Sequence, residues 1–180
     1  MKNLILMLIG TSILSLTSCD KLKDKLFQSF VTNSFEEKFN IDVITTTSLR
    51  MDVGTIQANL NIDSLIDAET DGAFDLDNVS SVKAEEVSLS IDNPDADNNF
   101  ANFEEGWVNF STNTNAVPVQ IATGANPDAY SEVWMLPVDN SINLKDYLKG
   151  TILSYVIAAK ARRVTTKQLN CTLSIKLKVE

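Results

Sequence analysis

From Leu169 to Val179, LNCTLSIKLKV alternates without a break. Leu169, Cys171, Leu173, Ile175, Leu177 and Val179 fall on one side, and Asn170, Thr172, Ser174, Lys176 and Lys178 on the other. A period of two is the side-chain period of a β-strand, so the stretch predicts a strand with one face in a core and the other in water. Cys171 then faces the core as a small hydrophobe and is not an accessible thiol.

The same period recurs along most of the chain. FEEKFNIDV places Phe35, Phe39, Ile41 and Val43 on one face, with Glu37 alone breaking the set. LRMDVGTIQANLNI puts Leu49, Met51 and Val53 on odd positions and Ile56, Ala58, Leu60 and Ile62 on even ones. A strand cannot exchange faces without an inserted residue, so a bulge or tight turn is expected at Gly54 and Thr55. EVSLSID, GWVNFS and VPVQIA add strands, and GTILSYVIAAKA, apolar on both parities, predicts a central one. Pro118 and Pro137 lie inside such stretches and cannot donate to a ladder, which places their strands at sheet edges or bulges. One short crossing helix is expected near residues 143–149. There Asn143 can cap, Leu144, Tyr147 and Leu148 share a face, and Gly150 can close the end. Seven to nine short strands with no βαβ alternation predict an all-β fold, an antiparallel Greek-key β-sandwich of immunoglobulin-like or jelly-roll type, with a barrel as the alternative.

The first residues do not fit this pattern. After Lys2, Leu4 to Leu16 form an apolar run of about 13 residues, too short to span a bilayer that needs roughly 20, and so read as an export signal. At its end Leu16, Thr17, Ser18 and Cys19 resemble the lipobox of bacterial lipoproteins. The resemblance covers only these first residues. It implies cleavage before Cys19 and acylation of its thiol, hence a lipid bilayer as partner and a location in the cell envelope. Lysines 21, 23 and 25 follow, where an acidic run would signal surface display, so the expectation is an outer-membrane anchor facing the periplasm, with surface display as the alternative. The predicted organisation is a signal peptide over 1–18, a lipidated tether over 19–34 and a single sandwich domain over 35–180. In the tether Leu22, Leu26, Phe27, Phe30 and Val31 recur at helical spacing, and that apolar face is expected to cap one end of the domain.

Composition narrows the function by exclusion. A formal net charge of −9 repels phosphates, so nucleic acid is not an expected partner. There is no histidine, which removes the Ser-His-Asp triad, the Cys-His dyad and imidazole ligation of zinc. With Cys19 acylated, Cys171 has no cysteine to bridge. The expected function is therefore a non-catalytic binding or structural domain with a protein or glycan partner. The alternatives are a carbohydrate-binding module and a small glycoside hydrolase working through carboxylates alone.

Three constellations could carry chemistry. Trp107, Phe110, Tyr130 and Trp134 could stack on sugar rings, although their apolar surroundings assign them to the core. Glu104 with Asp139 could act as acid and base, but no motif links them. DAETDGAFDLDN resembles a calcium loop, with Asp67, Glu69, Asp71 and Asp75 at ligand positions and Gly72 at the sharp turn. Glu69 replaces a shorter ligand, and Asn78 stands where a bidentate glutamate should close the shell. The stretch is therefore read as a solvated acidic connection, with calcium as the alternative cofactor.

Overall fold

The computed structural model describes residues 28–180. The leader, Cys19 and the first part of the tether lie outside the described residues. Among the described residues nine strands form two packed antiparallel sheets. One sheet carries β1 (Phe30–Val31), β2 (Phe35–Ile41), β4 (Val82–Ile91), β7 (Val133–Leu136) and β9 (Leu169–Val179). The other carries β3 (Arg50–Asn59), β5 (Phe103–Thr112), β6 (Val119–Ala125) and β8 (Ile152–Ala161). β1 and β2 both pair with β9 and form one interrupted edge strand, so the pairing already begins at Phe30, inside the segment assigned to the tether. The orders are β2-β9-β4-β7 and β3-β8-β5-β6. Each sheet thus interleaves strands from the two ends of the chain, which is jelly-roll topology and not the immunoglobulin order.

The local reasons are those of the pattern. β9 buries every residue of its apolar parity and is paired on both sides, by β2 and β4. β8 runs between β3 and β5, as its two-sided apolarity requires. Pro118 immediately precedes β6 and Pro137 immediately follows β7, and both strands are sheet edges. The face exchange in β3 is made by a bulge between Asp52 and Gly54, leaving Val53 as the extra residue, one position before the expected site. Beside β6 and β7 the sandwich is stitched shut, because Thr123 donates to the Pro137 carbonyl (3.0 Å) and Asp139 to that of Ile121 (3.0 Å). On the opposite side, at β2 and β3, closure is by side-chain packing, the Phe39 ring of β2 lying against Gly54 of β3, with a small cleft beside Phe35 and Glu37. Glu37 sits there on the inward parity of an edge strand, a charge that discourages a further strand from docking.

The helix prediction needs correction. Residues 143–149 form consecutive turns and no helix: Leu144 donates to the Val82 carbonyl (2.7 Å), and the Asn143 side chain accepts from Val82 N–H (3.2 Å) as well as from Lys145 N–H (3.0 Å). These contacts fasten the start of the segment to β4, and it then closes single turns, Leu148 donating to the Leu144 carbonyl (3.0 Å) and Gly150 to that of Tyr147 (3.1 Å). The helix present is α1 (Ile62–Glu69), capped by Asn61 and buried through Ile62 and Ile66. It takes in Ile62, which continues the period of β3 in the sequence, and Asp67 and Glu69 of the acidic stretch.

Candidate functional site

Antiparallel register fixes which loops share an end. Ile41 lies opposite Leu169, Ile91 opposite Cys171 and Phe103 opposite Ala161. The β2–β3, β4–β5, β6–β7 and β8–β9 loops therefore gather at one end, which we call the distal end. Phe30 lies opposite Val179 at the other end, which holds α1, the short 3₁₀ turn at Leu76–Asn78 and residues 143–150.

The distal end concentrates buried polar side chains: Asn98, Asn99, Asn102, Asn126 and Thr165 are all buried there. Buried amides are tolerated only when hydrogen-bonded, and each of these finds partners in another loop or within its own. Asn102 Nδ2 donates to the carbonyls of Asp97 (2.9 Å) and Val164 (2.8 Å), while its Oδ1 accepts from Asn99 N–H (3.1 Å). Asn98 Nδ2 donates to Asp95 Oδ1 (2.8 Å) and Thr166 Oγ1 (2.9 Å), and its Oδ1 accepts from Thr166 N–H (2.8 Å). Thr165 Oγ1 accepts from Ile44 N–H (2.9 Å), joining the β8–β9 and β2–β3 loops. Arg162 donates to the carbonyls of Ala101 (3.0 Å), Phe103 (3.2 Å) and Asn126 (2.9 Å), joining the β4–β5 and β6–β7 loops. Four loops are thereby held as one rigid unit.

Charges at this end are largely paired. Lys167 reaches Asp95 at 2.7 Å, and Arg162 and Arg163 both contact Asp128. Hydrogen bonds from Lys167 and Asn98 hold the Asp95 carboxyl well below its ordinary value, at about 2. Two hollows open here. One, of about 380 Å³, lies between the β4–β5 and β8–β9 loops and is lined by Ala96, Asp97, Asn102, Arg163, Val164 and Thr166. The other, of about 230 Å³, is cupped by residues 41–46 and 51–53. The first falls in the size range of small-ligand sites.

The residues singled out from the sequence lie elsewhere, apart from Tyr130 on the β6–β7 loop and Glu104 at the distal start of β5. The aromatics do not assemble into a platform. Trp134 and Phe110 are buried, the latter with its centroid 5.3 Å from that of Tyr155, while Tyr130 is exposed and hydrogen-bonded to Glu132 (2.7 Å). Trp107 is on the outer face of β5, but the Arg50 guanidinium stacks 4.4 Å above its ring, and Ala158, its cross-strand partner, is fully buried. Glu104 is engaged by Lys160 at 3.1 Å. Asp139 accepts from the hydroxyl (2.6 Å) and backbone (2.9 Å) of Ser141, which lower its pKa, the opposite of what a general acid needs. The two carboxylates are not brought together.

The calcium-loop residues are likewise separated in role. Asp67 and Glu69 lie on α1, where residues two apart point in different directions. Asp71 and Gly72 follow with positive φ (50° and 75°), Gly72 N–H closing onto the Asp67 carbonyl (2.8 Å), and Asp75 caps the 3₁₀ turn through Asn78 N–H (3.1 Å). Among the described residues no three histidine, cysteine, aspartate or glutamate side chains converge as metal ligands.

The distal cluster was not recognised from the sequence. Its signal is DNPDADNNFAN, residues 92–102, an asparagine-dense connection that also carries the buried Phe100 and Ala101. A search against protein-family models finds no match, and a search of curated proteins finds no relative.

Proposed function

We propose that this protein is a lipid-anchored envelope lipoprotein whose jelly-roll domain is a non-catalytic binding module, presenting its distal loops to a protein or glycan partner. The observation that carries the reading is the course of β9. Val179 lies beside Phe30, next to the tether, and Leu169 lies at the loop end. Eleven residues at about 3.3 Å each separate the two by roughly 35 Å. A chain held at Cys19 thus carries its rigid loop cluster at the far end from the bilayer.

The near end carries six carboxylates between Asp63 and Asp77, with Lys145 bonded to the Asp77 and Val79 carbonyls beside them, and the tether adds Lys21, Lys23 and Lys25, which are attracted to anionic lipid. The carboxylates whose pKa values are displaced, Asp95, Asp139, Asp146 and Glu180, are all displaced downward by hydrogen bonds from neighbouring side chains, the opposite of what a general acid needs.

The anchor is tested by growth in radiolabelled palmitate: wild type takes up label and Cys19→Ala does not, whereas equal labelling of both overturns it. Protease added to intact cells leaves a periplasm-facing domain whole; cleavage assigns it to the cell surface. Affinity capture from envelope membranes with the mature lipoprotein, compared with the surface variant Asp97→Ala, tests whether the distal loops make the contact.

A further inference from the structure

We infer that the hollow between the β4–β5 and β8–β9 loops takes a neutral, hydroxyl-rich ligand, one sugar ring of a glycan. The inference rests on the reading of the distal loops as the binding surface and names the chemistry that surface selects.

The groups lining the hollow differ in whether they are still free. Asn102 lines it, but both its Nδ2 donations and its Oδ1 are committed to backbone groups. Thr166 is committed to Asn98. Asp97 is different. Its backbone N–H donates to Asp95 Oδ1 (2.9 Å), yet its own exposed carboxylate accepts no hydrogen bond from any described residue. Arg163 is steadied by Asp128 through one amino group, leaving further N–H donors on a guanidinium that carries five. Val164, half exposed, supplies an apolar wall, and Ala96 leaves room beside it.

An unpaired acceptor, spare donors and one apolar facet in a hollow of about 380 Å³ suit a ligand that donates and accepts from adjacent atoms and has a C–H face. A sugar ring has these properties: one hydroxyl donates to Asp97, its neighbour accepts from Arg163, and the ring C–H groups lie on Val164. Anions are disfavoured by the free carboxylate and by a net charge of −9. A purely apolar ligand would leave the Asp97 and Arg163 groups desolvated without partners. A peptide strand has no ladder to join, because the hollow is walled by loops and not by a sheet edge. The hydrogen-bonded loops hold these walls in place before binding, which reduces the ordering cost.

The test uses the mature lipoprotein, isotopically labelled, in a polyoxyethylene detergent that carries no sugar headgroup. Neutral hexoses, 6-deoxyhexoses, pentoses and N-acetylhexosamines are titrated singly to about 50 mM, above the millimolar Kd expected of one ring, alongside galacturonate and sialate. At least one neutral sugar is expected to shift the amides of Asp97, Arg163, Val164 and Thr166 saturably. Asp97→Ala, whose side chain supports no other group, should weaken that sugar tenfold or more with an unchanged melting temperature, and Trp107→Ala should not affect it. Failure of every neutral sugar to move these amides, shifts confined to Trp107, or a response to acidic sugars alone would each overturn the inference. Solubilised envelope proteins that shift these amides when no sugar does overturn the glycan while leaving the distal loops as a binding surface. Silence from both removes the two together.

Discussion

The six-membered ring of Trp134 lies against Gly106 so closely that a Cβ at that glycine would sit 2.6 Å from Cη2. The ring belongs to β7 of one sheet and the glycine to β5 of the other, so the contact sets the separation of the sheets where Phe100 also meets the indole, its centroid 5.7 Å away. Gly106→Ala should therefore destabilise by about 1–3 kcal/mol, the usual range for overpacking, and lower the Tm by several degrees. Thermal unfolding followed by circular dichroism checks this, and an unchanged Tm would mean that the sheets part without cost.

Burial raises the Cys171 thiol to about 12, so at pH 8 it is a thiol and not a thiolate. A maleimide or disulfide reagent should label it only after denaturant is added. Cys171→Lys places an unpaired charge between the sheets and should cost about 3 kcal/mol or more. Labelling in the folded state within minutes would show that this end of β9 opens.

Acid should weaken the fold in a defined window. Asp95 and Glu180 are each lowered to about 2, Asp95 first by Lys167 and Glu180 first by Lys178, from ordinary values of 3.8 and 4.5. A carboxylate depressed in the folded state contributes stability above its unfolded pKa and loses it as the pH falls through the folded one. The Tm should thus decline between about pH 4.5 and pH 2, and the decline should be shallower in Asp95→Asn and Glu180→Gln. Superimposable Tm curves for wild type and both variants would contradict this account.

Asn102→Ala removes donors from the Asp97 and Val164 carbonyls and an acceptor from Asn99 N–H, all in one place. Unpaired buried groups cost about 1–3 kcal/mol each before relaxation, so a loss of about 2–4 kcal/mol is expected. Hydrogen exchange should accelerate across residues 95–102 and 162–166 while β4 and β9 stay protected. Uniform acceleration over the whole domain would instead make Asn102 part of the global core.

Much of this architecture is local physics and could be read from the chain. The alternation of β9 assigns Cys171 to the interior, the two-sided apolarity of β8 makes it central, and Pro118 and Pro137 confine their neighbours to edges because an absent N–H cannot join a ladder. Where local signals compete, the same reading fails. Asn61, Ile62, Leu65 and Ile66 carried the cap and spacing of α1, but Leu60 and Ile62 also continued the period of β3; the helix forms because Ile62 and Ile66 can both be buried against the sheets. Residues 143–149 carry an equally good local pattern, yet they close as single turns, their start fastened to Val82 of β4.

Tertiary structure alone decides the partners. Alternation says that a strand has a buried face and says nothing about its neighbour, so Phe35 opposite Ile175, or Val82 opposite Val179, is visible only in the folded chain. The candidate site follows the same rule. Asn98, Asn102, Arg162 and Thr165 are ordinary polar residues in the sequence, and they become a rigid binding end because their hydrogen-bond partners come from loops brought together by the register of the sheets.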